Sequence, residues 1–152
     1  MKQELDEQLC KNYPKMMINR NKPMQETAMC WGFDCGDGWF NILDQLMGNI
    51  QHHIDWNNSN FEKGYTQYKQ VPQVTLDQVK EKFGTLRFYY TGGDDVIDGM
   101  VRMAESMSSV MCEECGTPGE RRGGGWVRTL CDHHEHMYNT NKRKYTDENQ
   151  VS

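Results

Sequence analysis

Apolar side chains recur at helical spacing most clearly over residues 38–55. The positions that share one face are Trp39, Leu43, Leu46, Ile50 and Ile54. Steps of three and four residues are typical of an amphipathic helix with one buried side. Asp37 precedes the first of these positions, and aspartate is a residue type that caps helix N-termini. The pattern therefore predicts a helix capped by Asp37, followed by a loop over residues 57–70.

Two further stretches have the same helical period. Residues 95–111 follow Asp94 and Asp95, either of which can cap a helix. Their apolar stripe consists of Ile97, Met100, Val101, Ala104, Met107 and Met111. Residues 2–12 form a shorter candidate helix with Leu5 and Leu9 inward, which we expect to end near Pro14. Residues 13–30 are irregular.

Alternation of apolar and polar positions marks residues 73–91 as paired strands. Leu86, Phe88 and Tyr90 fall on one face of the second strand, and Arg87 and Tyr89 fall on the other. The partner strand contains Val74, Leu76 and Val79, and Gly84 lies at the turn. These residues predict a small antiparallel hairpin that packs on the helices.

Cysteine and histidine cluster near the C-terminus, in the stretch CEECGTPGERRGGGWVRTLCDHH. Cys112 and Cys115 have the spacing of a zinc knuckle, and Cys131 and His134 lie three residues apart on a predicted first helical turn. Structural zinc takes four such ligands in a tetrahedron. The four residues predict a treble-clef-like finger whose Zn²⁺ has no open position for chemistry.

Two alternatives to this ligand set stay open. His133 and His136 are weaker candidates for the fourth ligand, and without a metal the cysteines would form a cluster of free thiols.

The predicted elements make an α+β protein of 152 residues, a length that suits one domain with a small appendage. We expect a core over residues 1–111 with an irregular N-terminal segment, the finger over 112–138, and a flexible tail over 139–152. The tail is expected to be flexible because it has little apolar surface to bury.

Composition and charge limit the classes of partner. The net charge is −5 and no segment is strongly basic, unlike proteins that grip a nucleic-acid backbone. The start MKQELDEQLCKNY lacks the apolar core of a signal peptide, and no run approaches the ~20 apolar residues of a membrane span. We expect a cytoplasmic protein with reduced cysteines and no membrane contact. Its eleven methionines favour an adaptable binding surface.

The turn CGDGW, before the 38–55 helix, is a candidate anion site. Gly36 and Gly38 permit a tight turn that exposes backbone N–H groups around Asp37 at a helix N-terminus. A nucleotide phosphate would also contact three cations of the hairpin: Lys80, Lys82 and Arg87. The simpler alternative is that Asp37 caps the helix and the glycines serve the turn.

The glycine-rich part of the finger is a candidate nucleic-acid surface. Arg121, Arg122 and Arg128 would contact phosphates, and Trp126 would stack on a base. The alternative is a solvated hairpin tip with Trp126 packed on the zinc knuckle.

Four other residues are candidates for a second site. Cys30, Cys35, His52 and His53 could bind a second metal ion if the fold brings them together. A catalytic thiol at Cys35 with a histidine base is weaker, because no third orienting group is evident.

Three blocks occur in one order along the chain: GFDCGDGWFNILDQL, QVKEKFGTLRFYYTGG and CEECG…GWVRTLCDHH. In this combination, over about residues 32–134, the chain resembles a group of small uncharacterised proteins encoded by bacteriophages and bacteria. The resemblance implies a phage or prophage context and a zinc-binding end, and it implies no activity.

The preferred hypothesis is a non-enzymatic accessory protein that binds a host protein, such as a defence component, and inhibits or redirects it. This rests on analogy with other small phage proteins. The alternatives are a zinc-finger nucleic-acid-binding protein, a nucleotide-binding sponge, and an enzyme such as a nuclease or thiol hydrolase. The methionine-rich 95–111 helix could also pack on a second copy, which would give a homo-oligomer.

Overall fold

The computed structural model describes the backbone of residues 1–150 and the side chains of residues 1–146. The helices are α1 (Gln3–Asn12), α2 (Phe40–Glu62), α3 (Asp95–Ser108) and α4 (Asp132–Gln150). The strands are β1 (Phe33–Asp34), β2 (Thr75–Lys82), β3 (Thr85–Thr91), β4 (Glu120–Arg122) and β5 (Arg128–Leu130). Short 3₁₀ turns occupy Ala28–Trp31 and Asp37–Trp39. The predicted α+β class is confirmed.

The main sheet has the order β1-β2-β3. The predicted β2–β3 hairpin is present, with Val79 opposite Phe88 and a register shift between Leu76 and Gln78. The sheet is mixed and not purely antiparallel, because β1 joins β2 in parallel, with Phe33 beside Val79. At two residues, β1 is too short to show an alternating pattern, so its presence had no signal in the sequence.

The outer edge of β3 is covered by side chains of α3. The Leu86 amide donates to the Ser108 hydroxyl at 2.8 Å, and the Phe88 amide donates to the Glu105 carboxylate at 3.0 Å. An edge strand with free N–H groups is open to pairing with other chains, and these bonds close this edge. They also fix α3 across the sheet, beside α2.

The core lies between the sheet and the helices α2 and α3. Its largest fully buried side chains include Trp39, Leu43, Met47, Ile50, Leu76, Leu86 and Ile97. The irregular N-terminal segment belongs to this core, since Met16 and Met29 are also fully buried. The carboxylate of Asp6 holds that segment in place by accepting from the Arg20 guanidinium and the Phe33 amide.

Helix α2 differs from its prediction at both ends. Asp37 lies in a 3₁₀ turn and does not cap α2, so that part of the prediction is wrong. Its carboxylate accepts instead from the Lys2 amide at 2.7 Å. At the other end the helix continues to Glu62, through part of the predicted loop. The Asn58 amide group explains this extension, because it bonds both the N–H and the C=O of Val71 and anchors the polar last turns.

Helix α4 also runs further than expected. Residues 139–150, predicted as part of a flexible tail, continue α4, and residues 139–146 of it are exposed. Residues 151–152 lie outside the described residues. Within the part of the chain that the structure describes, no helix has the length and apolar character needed to cross a membrane.

Asp94 caps α3, as one of the two predicted alternatives. Its carboxylate accepts from the Ile97 amide at 3.1 Å, and the other oxygen lies 2.8 Å from His53 Nε2 on α2. Burial alone would raise the pKa of Asp94, but the bonds from His53 and the Ile97 amide outweigh it and lower that pKa below its ordinary value. The charged carboxylate therefore links the start of α3 to α2.

We expect Asp94→Ala to lower the free energy of unfolding by about 0.5–2 kcal/mol at pH 7, the usual cost of losing an N-cap. Because the folded-state pKa of Asp94 is lowered, its contribution is present above the unfolded pKa and is lost as the pH falls through the folded one. The difference between wild type and variant in urea unfolding should therefore shrink below about pH 4.

The matched control for this prediction is Asp95→Ala, one residue further along and exposed. It should cost less than Asp94→Ala, since the capping bond of α3 is accepted by Asp94 and not by Asp95. Equal losses for the two variants, or a difference that does not change with pH, would contradict the assigned role of Asp94.

Candidate metal centre

Cys112, Cys115, Cys131 and His134 come together, with all four ligand atoms within 4.8 Å of one another. The Cys115 and Cys131 sulfurs are 3.9 Å apart, and His134 Nδ1 lies 3.6 Å from the Cys112 sulfur and 3.3 Å from the Cys131 sulfur. Metal–sulfur bonds of about 2.3 Å in a tetrahedron place sulfurs about 3.8 Å apart. The four residues therefore have the spacing of a tetrahedral metal site.

Local backbone structure sets this spacing. The Cys112 amide donates to the Thr117 carbonyl at 2.7 Å, and the Gly116 amide donates to the Cys112 carbonyl at 2.8 Å. Gly116 has a φ of +77°, a conformation that glycine adopts without strain. We call residues 112–116 the knuckle. The β4–β5 hairpin then returns the chain to Cys131, directly before α4.

The unligated thiols differ in their acidity. Burial raises the pKa of Cys112, whereas hydrogen bonds from Thr117 lower the pKa of Cys115. The backbone N–H of His134 lowers the pKa of Cys131 to about 6. The thiol of Cys131 in turn raises the pKa of His134 through their side-chain bond. The surroundings thus favour the thiolate form of Cys115 and Cys131, and the thiolate is the form that binds metal.

The CGDGW turn packs directly on the knuckle. The Gly36 amide donates to Glu113 Oε1 at 3.0 Å, and the Gly38 amide donates to the Glu113 carbonyl at 2.7 Å. A Cβ at Gly38 would overlap the Cys112 carbonyl, so only glycine allows this approach. Trp39 adds a bond from its indole N–H to the Met111 carbonyl at 3.0 Å. We call this set of bonds the turn–knuckle contact.

The turn–knuckle contact removes the basis of the predicted anion site. The amides of Gly36 and Gly38 bond Glu113, whose negative charge opposes a phosphate there. The three predicted cations, Lys80, Lys82 and Arg87, do belong to β2 and β3. Strand alternation places them on the sheet face opposite Val79 and Leu86, which face the core. The anion site stays a prediction that the structure disfavours, because Glu113 already accepts from both amides.

The arginines predicted to bind nucleic acid have partners within the protein. Arg122 pairs with Asp132 at 2.6 Å and with Glu135, and Arg128 pairs with Glu114. Arg121 donates to the Phe83 carbonyl at 2.8 Å. These contacts neutralise two guanidinium groups and hold all three against the protein, which weakens the predicted phosphate contacts.

Trp126 stays at the tip of the finger, with 70% of its surface exposed. The alternative in which it packs on the zinc knuckle is therefore wrong. The three preceding glycines give the tip no side chains that could bury the indole.

The second predicted metal site is not formed. Among the residues that the structure describes, the one cluster of ligating side chains is the group at Cys112–His134. His53 lies instead against Asp94, and His52 stacks at 6.3 Å on Trp56. Cys35 is buried, and burial raises the pKa of its thiol to about 12. A catalytic thiolate at Cys35 is disfavoured by that environment.

Sequence reasoning missed Glu113 as a structural residue. It lies between two of the candidate ligands, where an acidic residue is usually solvated, yet only 6% of its surface is exposed. Burial raises the pKa of Glu113, against the opposing effect of Arg128. No spacing rule in the sequence indicates that its carboxylate accepts from a turn 77 residues away.

The comparisons with known proteins return no match. No protein-family model matches this chain, and no curated protein or solved structure is significantly similar to it. The resemblance to small phage proteins stays a prediction.

We expect purified protein to carry about one metal ion per chain, measured by elemental analysis against protein concentration. Cys112→Ser and Cys131→Ser should each remove the metal, because a tetrahedral site loses a quarter of its ligands in either variant. Cys10→Ser is the matched control and should keep it, since Cys10 lies outside the cluster. A well-folded wild type with far less than one metal ion per chain would contradict the site.

Proposed function

We propose that this chain is a non-enzymatic binding protein that holds an amphipathic helix of a partner protein, and that its metal ion is a structural Zn²⁺. The observation that carries the proposal is an open apolar groove between α2 and α3. The metal centre supports this binding surface indirectly. Its candidate ligand Cys112 follows shortly after the end of α3, so a bound ion would hold that end of the helix in place.

The groove has a volume of about 410 Å³ and is lined mainly by methionine and aliphatic side chains. Helix α2 contributes Ile42 and Leu46, and α3 contributes Met100, Ala104 and Met107. Met103 lies on its wall with 64% of its surface exposed, and Met107 is 42% exposed. Two exposed methionines in one apolar groove form the kind of surface patch that is typically covered by a binding partner.

The shape and chemistry of the groove favour a helix as its occupant. Two packed helices form its walls, and an amphipathic helix can lay its apolar face along such walls. The rim on α2 carries the uncharged amides of Asn41, Gln45 and Asn49. With no charged side chain in the lining, binding would depend on apolar contact, and methionine can adapt to the shape of the partner.

Zinc is the metal that the ligand set supports best. Three cysteines and one histidine are a ligand combination of structural zinc sites. Four protein ligands leave no open position for water or substrate, so the ion stabilises folding and does not activate water. We therefore assign no enzymatic role to the metal centre.

The partner proposed for the groove is a host protein. Support for this comes from the resemblance of three sequence blocks to small proteins of phages and bacteria, and such proteins often act by binding and blocking a host component. Inhibition or redirection of that component would follow from covering the helix that the groove binds. The host cytoplasm is the compartment that this context implies.

The test of the proposal is a reconstituted complex with a host protein. A partner recovered from cells with the tagged chain should be purified separately, and its dissociation constant should be measured by calorimetry. Met103→Glu and Met107→Glu should each weaken binding by at least about tenfold, because either places a charge in the apolar groove. Thermal melting should confirm that both variants fold.

The control variant is Val96→Glu, which changes an exposed apolar residue of α3 that does not line the groove. It should bind like wild type. If the groove variants bind the partner with unchanged affinity, the proposed surface is wrong. If analytical ultracentrifugation shows a dimer that Met103→Glu dissociates, the occupant is a second copy and not a host helix.

A further inference from the structure

A second cleft lies beside the turn–knuckle contact. It has a volume of about 630 Å³, and its lining brings together residues from β1, β2, the knuckle, the finger and α4. Its charged and aromatic lining residues are Asp34, Glu81, Glu113, Trp126, Arg128 and Tyr138. Neither the metal centre nor the α2–α3 groove uses these side chains.

Glu113 is the unusual residue of this cleft. With 6% of its surface exposed, it is more than nine-tenths buried. Its Oε1 accepts from the Gly36 amide, but its Oε2 is buried with no hydrogen-bond partner. The Arg128 guanidinium forms a long ion pair with that same Oε2 at 3.6 Å, and Arg128 pairs more closely with Glu114. Arg128 at this distance supplies charge but no hydrogen bond, and a buried carboxylate oxygen without a hydrogen bond is costly, so Oε2 is a position that a closer donor would satisfy.

The surrounding charge favours a cationic donor. Asp34 and Glu81 also line the cleft, and among the described residues neither forms an ion pair with lysine or arginine. Arg128 is the one basic side chain of the lining, and it is shared with Glu114. The Met1 ammonium also lies nearby, bonded to the Phe33 and Cys35 carbonyls on either side of Asp34. Counted with it, three carboxylates are matched by two cations, one of them shared with Glu114, so the cleft has an excess of negative charge that a positively charged ligand would balance.

The aromatic side chains indicate what kind of cation fits. Trp126 and Tyr138 lie in the lining, and the Arg128 guanidinium already lies 5.6 Å from the centre of the Tyr138 ring. Aromatic faces attract alkylammonium and guanidinium groups. The three carboxylates are not among the side chains that lie close enough together to chelate a metal ion within the described chain. An organic cation suits this lining better than an inorganic one.

We propose that this cleft binds an ammonium or guanidinium group on a flexible chain, with Glu113 as its buried anionic acceptor and Trp126 and Tyr138 as its aromatic contacts. Such a group occurs in free polyamines and in lysine or arginine side chains of proteins. Both sources present the same N–H donors to the carboxylate.

Because Glu113 Oε2 is buried, a ligand can reach it only if side chains that line the cleft shift. Gly124 and Gly125 lie in open space, since a Cβ at either position would have no non-neighbouring atom within 4 Å. The proposal does not depend on the α2–α3 groove, and either site can fail without the other.

The test is calorimetric titration of the full metal-loaded chain with spermidine and with a short peptide that carries one arginine or lysine. We expect saturable binding of at least one probe, with a dissociation constant below about 1 mM. Glu113→Gln should weaken it at least about tenfold, since it removes the charge and keeps an oxygen for the Gly36 amide. Acetylating the probe amine should have the same effect. Binding of spermidine alone or of the peptide alone identifies the source.

Trp126→Ala is a second variant for the case in which Glu113→Gln does not fold, because Trp126 is exposed and should not affect stability. It should also weaken binding. The matched control is Glu62→Gln, which removes one charge from the exposed end of α2, outside the cleft. No saturable binding of either probe to wild type would overturn the proposal. Equal binding by wild type, Glu113→Gln and Trp126→Ala would also overturn it.

Discussion

The contact between the CGDGW turn and the knuckle is the interaction on which the remaining structure depends. It joins the start of α2, the longest buried helix, to the residues that carry two metal ligands. Each of its hydrogen bonds contributes on the order of 1 kcal/mol. A structural zinc ion in a finger contributes on the order of 10 kcal/mol, so zinc bound as proposed would stabilise this junction more than the hydrogen bonds do. The finger therefore supports the core and is not an independent appendage.

This junction also explains why the glycines of the turn are needed. The turn resembles an anion-binding loop in sequence, because both uses require small residues and exposed amides. In the fold the two amides donate to the carboxylate and the carbonyl of Glu113. The close approach of Gly38 to the Cys112 carbonyl leaves no room for a side chain.

The long elements and the metal ligands could be predicted from the sequence, because both have regular spacing. The face of α2 from Leu43 to Ile54 repeats over several turns, and Cys112 and Cys115 form a motif whose spacing follows from the size of the ion. Features set by contacts between distant residues had no such signal. The two-residue strand β1 and the burial of Glu113 each depend on partners far along the chain.

The two proposed binding surfaces differ in chemistry as well as position. The α2–α3 groove is apolar and lined by methionine, whereas the cleft at Glu113 is acidic and aromatic. Arg122 and Arg128 of the finger are occupied by Glu114, Asp132 and Glu135, so the finger offers little free positive charge to nucleic acid.

The central claim is that the metal ion, by fixing the knuckle, also fixes the CGDGW turn. Hydrogen exchange of the Gly36 and Gly38 amides tests this claim most directly. The exchange rates are measured by NMR before and after metal chelation. Both amides should be protected in the metal-loaded protein and should exchange much faster after chelation, because Glu113 then loses its fixed position. If the two amides stay protected in the metal-free protein, the turn does not depend on the metal centre and the central role assigned to the ion is wrong.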